Sequence, residues 1–253
     1  MAEVVVEVHS GVATLTLAAP ERHNALTPDM AREIDAACDA IDADPAIGAV
    51  VVQGQGTTFC SGAHRATLAQ IAADPAGDRP YKDLRTIYGA FTRIGQLEPP
   101  SIAAARGRAV GAGVNLLFAT DLRVLAEDAV IAPGFLGFGF HPGGGHFALV
   151  ARTAGREAAT ALAVFDQSID GRRAAALGLA WDVVPAGEVE RRAQEIAQAA
   201  ARDPELARAV VRSMRAELGP PGLSWAAALE AETSSQLWSL KRRHDREAHR
   251  ESA

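Results

Sequence analysis

The strongest constraint on this chain is an alternation of β-rich runs, glycine-bearing loops and helical spacings that repeats past the midpoint. Residues 4–8 and 12–17 are β-rich runs parted by Ser10-Gly11, the composition of a hairpin with a tight polar turn. Thr27-Pro28-Asp29 then supplies an N-cap, a first-turn proline and an early acid, and Met30, Ile34, Ala37, Cys38 and Ile41 follow at helical spacing towards Asp44-Pro45. A short buried strand is expected over 49–52 and a loop rich in Gly, Ser and Thr over 53–64. The polar segment 74–80 reads as a mobile excursion of the kind that covers a pocket. It leads into an amphipathic helix carrying Leu84, Ile87, Tyr88, Phe91 and Ile94. Strand, tight connection, buried helix and strand follow over 101–105, 107–113, 114–119 and 122–125. Past the turn-rich stretch 133–145 the pattern is almost wholly helical, with 172–177, 189–202, 205–218 and 225–243 as the main helices. Periodicity admits two architectures, a spiral of ββα turns and a doubly wound sheet.

Composition narrows the class. With 253 residues, 48% of them hydrophobic, the chain can bury a large core. Its net charge of -6 argues against nucleic acid as a partner, although a local basic patch can still hold the phosphates of a small ligand. Cys38 and Cys60 have no metal-like spacing, so neither a disulfide framework nor a metal site is expected, and a reducing cytoplasm fits. The N-terminal residues lack the pattern of a signal peptide and no apolar run reaches spanning length, so membrane insertion is not expected.

Four segments, in order, carry a resemblance. Asn24-Ala25-Leu26 precedes the first long helix and Phe59-Cys60-Ser61-Gly62-Ala63 follows a buried strand. The run Gly107-Arg108-Ala109-Val110-Gly111-Ala112-Gly113 leads through Asn115-Leu116 to Asp121, and Gly178-Leu179-Ala180 precedes Val183-Val184-Pro185. Together they resemble the crotonase, or enoyl-CoA hydratase/isomerase, family. The resemblance implies a ββα spiral over residues 1–190, holding an acyl-CoA site, and a helical C-terminal trimerisation region over 191–253. It implies a coenzyme A thioester as substrate or ligand with no permanently bound cofactor, and a homotrimer or dimer of trimers. It also implies that the backbone N–H groups of Ala63 and Ala112 form an oxyanion hole, where preorganised donors stabilise charge developing on the thioester oxygen. Arg22, His23, Ser61, Gly62 and Arg65 would border the nucleotide end of coenzyme A, and Tyr81, Tyr88 and Phe135 the acyl pocket.

The pattern also departs from the family. Ala112 stands where the family usually has Gly, and His64 where it has Asp. Asn115 and Phe135 stand where its hydratases carry two glutamates, and neither an amide nor a phenyl ring transfers a proton near neutral pH. No Asp or Glu occurs from Ala129 to Thr153. His141 and His146, flanking Pro142-Gly143-Gly144-Gly145, are the candidate replacements, because imidazole titrates near neutrality. A structural His in a Gly-rich turn explains each of them as well. Three readings follow: an enzyme of lyase, isomerase or thioester hydrolase chemistry with non-standard proton-transfer residues and weak hydratase activity, a noncatalytic acyl-CoA carrier, and an ordinary hydratase with an unrecognised acid.

Overall fold

The computed structural model describes residues 2–74 and 77–219. Strands β1 (Val4–His9) and β2 (Val12–Leu17) form the expected antiparallel hairpin, and Ser10 and Gly11 both take the positive φ that a two-residue turn of this hand needs. Helix α1 (Pro28–Ala43) starts where its cap dictates. The Thr27 hydroxyl accepts the Met30 N–H at 3.1 Å, and Pro28 occupies the first turn, where a missing N–H loses no helical bond. Its stripe of Met30, Ile34, Cys38 and Ile41 is buried.

After β3 (Ala49–Gly54), the chain forms α2 (Arg65–Ala73), which the sequence reading did not include. Only Thr67 of α2 is buried, so this helix has no apolar stripe to announce it. Helix α3 (Asp78–Ile94) begins inside the segment expected as an excursion, because Pro80 falls in its first turn, where proline is tolerated. Next come β4 (Ser101–Ala105), β5 (Arg108–Val110), α4 (Ala112–Ala119), β6 (Leu122–Ala126) and β7 (Val130–Ala132). Then follow α5 (His146–Ala163), β8 (Ile169–Asp170), α6 (Gly171–Ala176), β9 (Asp182–Val184), α7 (Val189–Ala201) and α8 (Pro204–Leu218). The sequence reading omits β5, β7, β8 and β9, since two or three residues are too few to show a period of two. It omits α5 as well, whose helical pattern is interrupted at Gly155, with φ of 80° and ψ of 177°. The helix expected over 225–243 lies outside the described residues.

The strands form two sheets. The larger has the order β1-β2-β3-β4-β6-β9, parallel except for the β1 edge, and the smaller has the order β5-β7-β8. The chain feeds the sheets in alternation, β4 then β5 and β6 then β7, which is the ββα spiral rather than a doubly wound sheet. Strands β3 and β4 are covered on both faces and are nearly continuous apolar runs. Helix α7 lies on the large sheet through Val189, Ala193 and Ala197. Helices α1 and α3 pack together, with Arg93 bonded to Asp39 at 2.9 Å and Asp42 at 2.6 Å. From α8, the buried Arg208 donates to the carbonyls of Ile41, Asp42, Asp44 and Ile47 and to the Glu98 carboxylate. A guanidinium presents five donors and so can satisfy the carbonyl groups left open at the end of α1.

Candidate functional site

The site begins with a brace. Asn24 is fully buried and sits at a φ of 53°. Its Oδ1 accepts the Ala19 N–H at 3.0 Å, and its Nδ2 donates to the carbonyls of Gln55 at 2.9 Å and Thr58 at 2.7 Å. These bonds hold the loop that follows β3 against the turn before α1. Along that contact Ser61 N–H donates to His23 O, Leu26 N–H to Gly62 O and His64 N–H to Leu26 O.

The loop entering α4 runs beside the first, with Cys60 N–H donating to Arg108 O and Val110 N–H to Cys60 O. Two glycines permit this approach. Gly62 has a φ of 90°, and a Cβ there would lie 2.6 Å from the Val110 carbonyl oxygen and 3.3 Å from the Ala112 nitrogen. A Cβ at Gly113 would fall on the Cys60 carbonyl. Among the described residues, neither the Ala63 N–H nor the Ala112 N–H takes part in these backbone bonds. Ala112 is the first residue of α4, where N–H groups have no helical partner and the dipole favours negative charge.

Helix α4 is apolar and almost wholly buried, and Asn115 is its one polar side chain inside. It lies one turn beyond Ala112. Its Nδ2 donates to the Gly143 carbonyl at 2.9 Å, and its Oδ1 lies 2.8 Å from Nδ1 of His146, which opens α5. His146 is 1% exposed, and its Nε2 is buried with no hydrogen-bond partner among the described residues. Burial pushes its pKa down to about 4, so the ring is neutral at ordinary pH. Phe135, also buried, presents an edge-to-face contact to the imidazole, with centroids 5.0 Å apart. Tyr88 reaches the same turn, where the Gly144 backbone bonds to its hydroxyl and burial raises its pKa. Burial likewise pushes the Cys60 thiol up to about 12, which leaves no nucleophilic thiolate beside the loops.

The other sequence candidates lie further out. His141 is exposed, with Nδ1 2.6 Å from the Pro142 carbonyl oxygen. Tyr81 is 61% exposed on α3, two turns before Tyr88. His64 occupies the N-cap position of α2, but its side chain makes no capping bond. Of the residues assigned to coenzyme A, Arg22 is ion-paired to Glu3 and also bonds the Ala25 carbonyl, so its charge is already engaged. The His23 ring lies 3.5 Å from the Thr58 hydroxyl, and the Ser61 hydroxyl donates to the Arg22 carbonyl. Arg65 is exposed, with its guanidinium carbon 5.8 Å from the centre of the Phe138 ring. The sequence reading missed the amide of Asn24 as a brace and the Gly143 carbonyl as a partner of Asn115. The signal for the second is a lone amide in an otherwise apolar helix.

A ββα spiral with two touching glycine loops over a buried helix is a crotonase-like fold. Residues 7–251 match the family described as enoyl-CoA hydratase/isomerase. A "Probable enoyl-CoA hydratase" of Mycobacterium tuberculosis is 36% identical over 87% of this chain and 84% of its own. The 1,2-epoxyphenylacetyl-CoA isomerase of Escherichia coli is 30% identical over 78% and 75%. A solved structure of a probable enoyl-CoA hydratase/isomerase from Mycobacterium abscessus superposes with a TM-score of 0.80 at 32% identity, over 94% of this chain and 90% of that one. The chain therefore belongs to the enoyl-CoA hydratase/isomerase family. Among the described residues, no helix is long and apolar enough to cross a membrane, and no cluster of three His, Cys, Asp or Glu could hold a metal ion.

Proposed function

We propose that this chain is an acyl-CoA enzyme that stabilises a thioester enolate through the N–H groups of Ala63 and Ala112 and moves the α-proton with His146 instead of a glutamate. The observation that carries the reading is His146, whose buried Nε2 has no hydrogen-bond partner among the described residues and whose other ring nitrogen faces the residue one turn beyond Ala112. In the proton step Nε2 takes the α-proton. The C–H electron pair becomes the enolate C=C bond, the thioester carbonyl π pair moves to the oxygen, and the imidazolium and enolate charges balance. Burial opposes the imidazolium, but the enolate formed beside it offsets that cost, because opposite charges attract strongly in a dry site. Asn115 and Phe135 stand where the family's hydratases carry acids, so hydration of crotonyl-CoA should be slow. Losing such acid–base help typically costs about two to four orders of magnitude.

Coenzyme A would lie along Ser61 and Gly62 with Arg65 available for phosphate, whereas His23 and Arg22 would contact it only after rearranging. Tyr88 and Phe135 would border the acyl group, with Tyr81 at its outer edge and His141 an auxiliary proton carrier. The segment 191–253 would join copies into a trimer or a dimer of trimers. An exposed row on α8, Val210, Met214 and Leu218, supports that assembly, and light scattering tests it. The unpaired, buried thiols of Cys38 and Cys60 suit a reducing cytoplasm. The alternative is a noncatalytic acyl-CoA carrier in which Phe135 fills the former catalytic space. One experiment separates the two: calorimetry with several acyl-CoAs, paired with NMR detection of α-proton exchange in deuterated water. Binding with exchange that disappears in His146→Gln supports the enzyme, and binding without exchange selects the carrier. No binding to any acyl-CoA would refute both.

A further inference from the structure

The Asn115–His146 contact fixes more than distance. The Gly143 carbonyl oxygen can only accept a hydrogen bond, so the Asn115 atom facing it at 2.9 Å must be the amide NH2. The amide oxygen then faces Nδ1 of His146 at 2.8 Å and can itself only accept. Nδ1 must therefore carry the proton, and in a neutral imidazole the lone pair is left on Nε2. That atom is the buried nitrogen without a hydrogen-bond partner among the described residues. Buried polar atoms rarely go unpaired, so this nitrogen calls for a partner such as a ligand atom.

We propose that Asn115 is a positioning residue: through its clamp between Gly143 and His146 it locks the Nδ1–H tautomer and presents Nε2 as a lone-pair acceptor to the acyl ligand. This rests on the enzymatic reading above and assigns Asn115 a use beyond the loss of an acid. The clamp is rigid on both sides. Asn115 sits mid-helix in buried α4, and a Cβ at Gly144 would lie 2.9 Å from its Nδ2 and 2.5 Å from Phe91 Cζ, so the turn closes on the amide only because that residue is glycine. The side chains in hydrogen-bond or ring contact with the imidazole, Asn115, Phe135 and Phe147, do not titrate. Among the described residues, no neighbouring charge therefore competes with the amide for control of the tautomer.

The test uses the full chain labelled with 15N-histidine, with the His146 signals assigned by their loss in His146→Gln. The expected spectrum near neutral pH shows a protonated Nδ1 and an unprotonated Nε2. A protonated Nε2, or two averaged tautomers, would overturn the proposal. In Asn115→Leu the tautomer should become mixed, and α-proton exchange should fall about 100-fold or more, the scale of acid–base help, with acyl-CoA affinity nearly unchanged. Asn115→Asp restores an acceptor to Nδ1, so it should recover the tautomer and part of the rate, with its pH profile moved upward by the carboxylate charge. A purely structural Asn115 would lower stability in both variants and leave the tautomer and pH profile as they were. If Asn115→Leu does not fold, the wild-type spectrum and the Asp variant decide. A wild type that never exchanges α-protons defeats the enzymatic reading while leaving the tautomer to be judged by its own spectrum.

Discussion

The burial of His146 makes the stability of the whole fold depend on pH in a way that one substitution should remove. An unfolded histidine titrates near its ordinary value of about 6.5, whereas burial pushes the folded His146 down to about 4. As pH falls, the unfolded chain takes up a proton first, so the stabilisation is complete above the unfolded pKa and is lost as pH falls towards the folded one. About 2.5 pKa units at 1.36 kcal/mol each give a total of about 3 kcal/mol. Of this, about 2 kcal/mol disappears between about pH 7.5 and pH 5. At 1% exposure the ring has little solvent to screen the effect. Urea unfolding of the wild type and His146→Gln at those two pH values, at one protein concentration, isolates this contribution because every other titrating group is common to both. The wild type should lose about 2 kcal/mol more than the variant on acidification. If the two lose stability in parallel, His146 is not held neutral by burial and the argument fails.

Three further outcomes follow from particular contacts. Gly62→Ala places a Cβ 2.6 Å from the Val110 carbonyl oxygen at a φ of 90°, so the two loops must separate, and acyl-CoA affinity measured by calorimetry should weaken about tenfold or more. Arg208→Met removes a donor from four carbonyls at and just past the end of α1, of which those of Ile41 and Asp44 keep a backbone N–H partner while those of Asp42 and Ile47 lose this one; the urea midpoint should report a loss of about 2–4 kcal/mol, and a loss under about 1 kcal/mol would contradict the contact's importance. Asn24→Ala leaves three backbone groups, two of them buried, without this partner and puts a Cβ-bearing residue at positive φ without its local bonds, so a loss of about 3 kcal/mol is expected by the same measurement.

Local chemistry was enough to place the hairpin at Ser10-Gly11, the start of α1 at Thr27-Pro28, the buried strands β3, β4 and β6, and helices α7 and α8. Each of these carries its own signal, a turn pair, a cap, a short apolar-rich run or apolar residues at helical spacing. The order of the glycine-bearing segments pointed to the family, and the absence of any acid from Ala129 to Thr153 is plain in the sequence alone. Tertiary structure decided the rest. β5, β7, β8 and β9 exist as strands only because a neighbouring strand completes their hydrogen bonds, and α2 has no stripe of its own to reveal it. The exposure of His141 and the burial of His146, five residues apart around one Gly-rich turn, follow from where α5 meets α4. The sequence could name two candidate histidines, but which one is buried with an Nε2 that has no hydrogen-bond partner among the described residues, and which of its nitrogens faces an amide 31 residues away in sequence, was decided by the fold. A hydrogen bond of that separation exists only after the chain has folded.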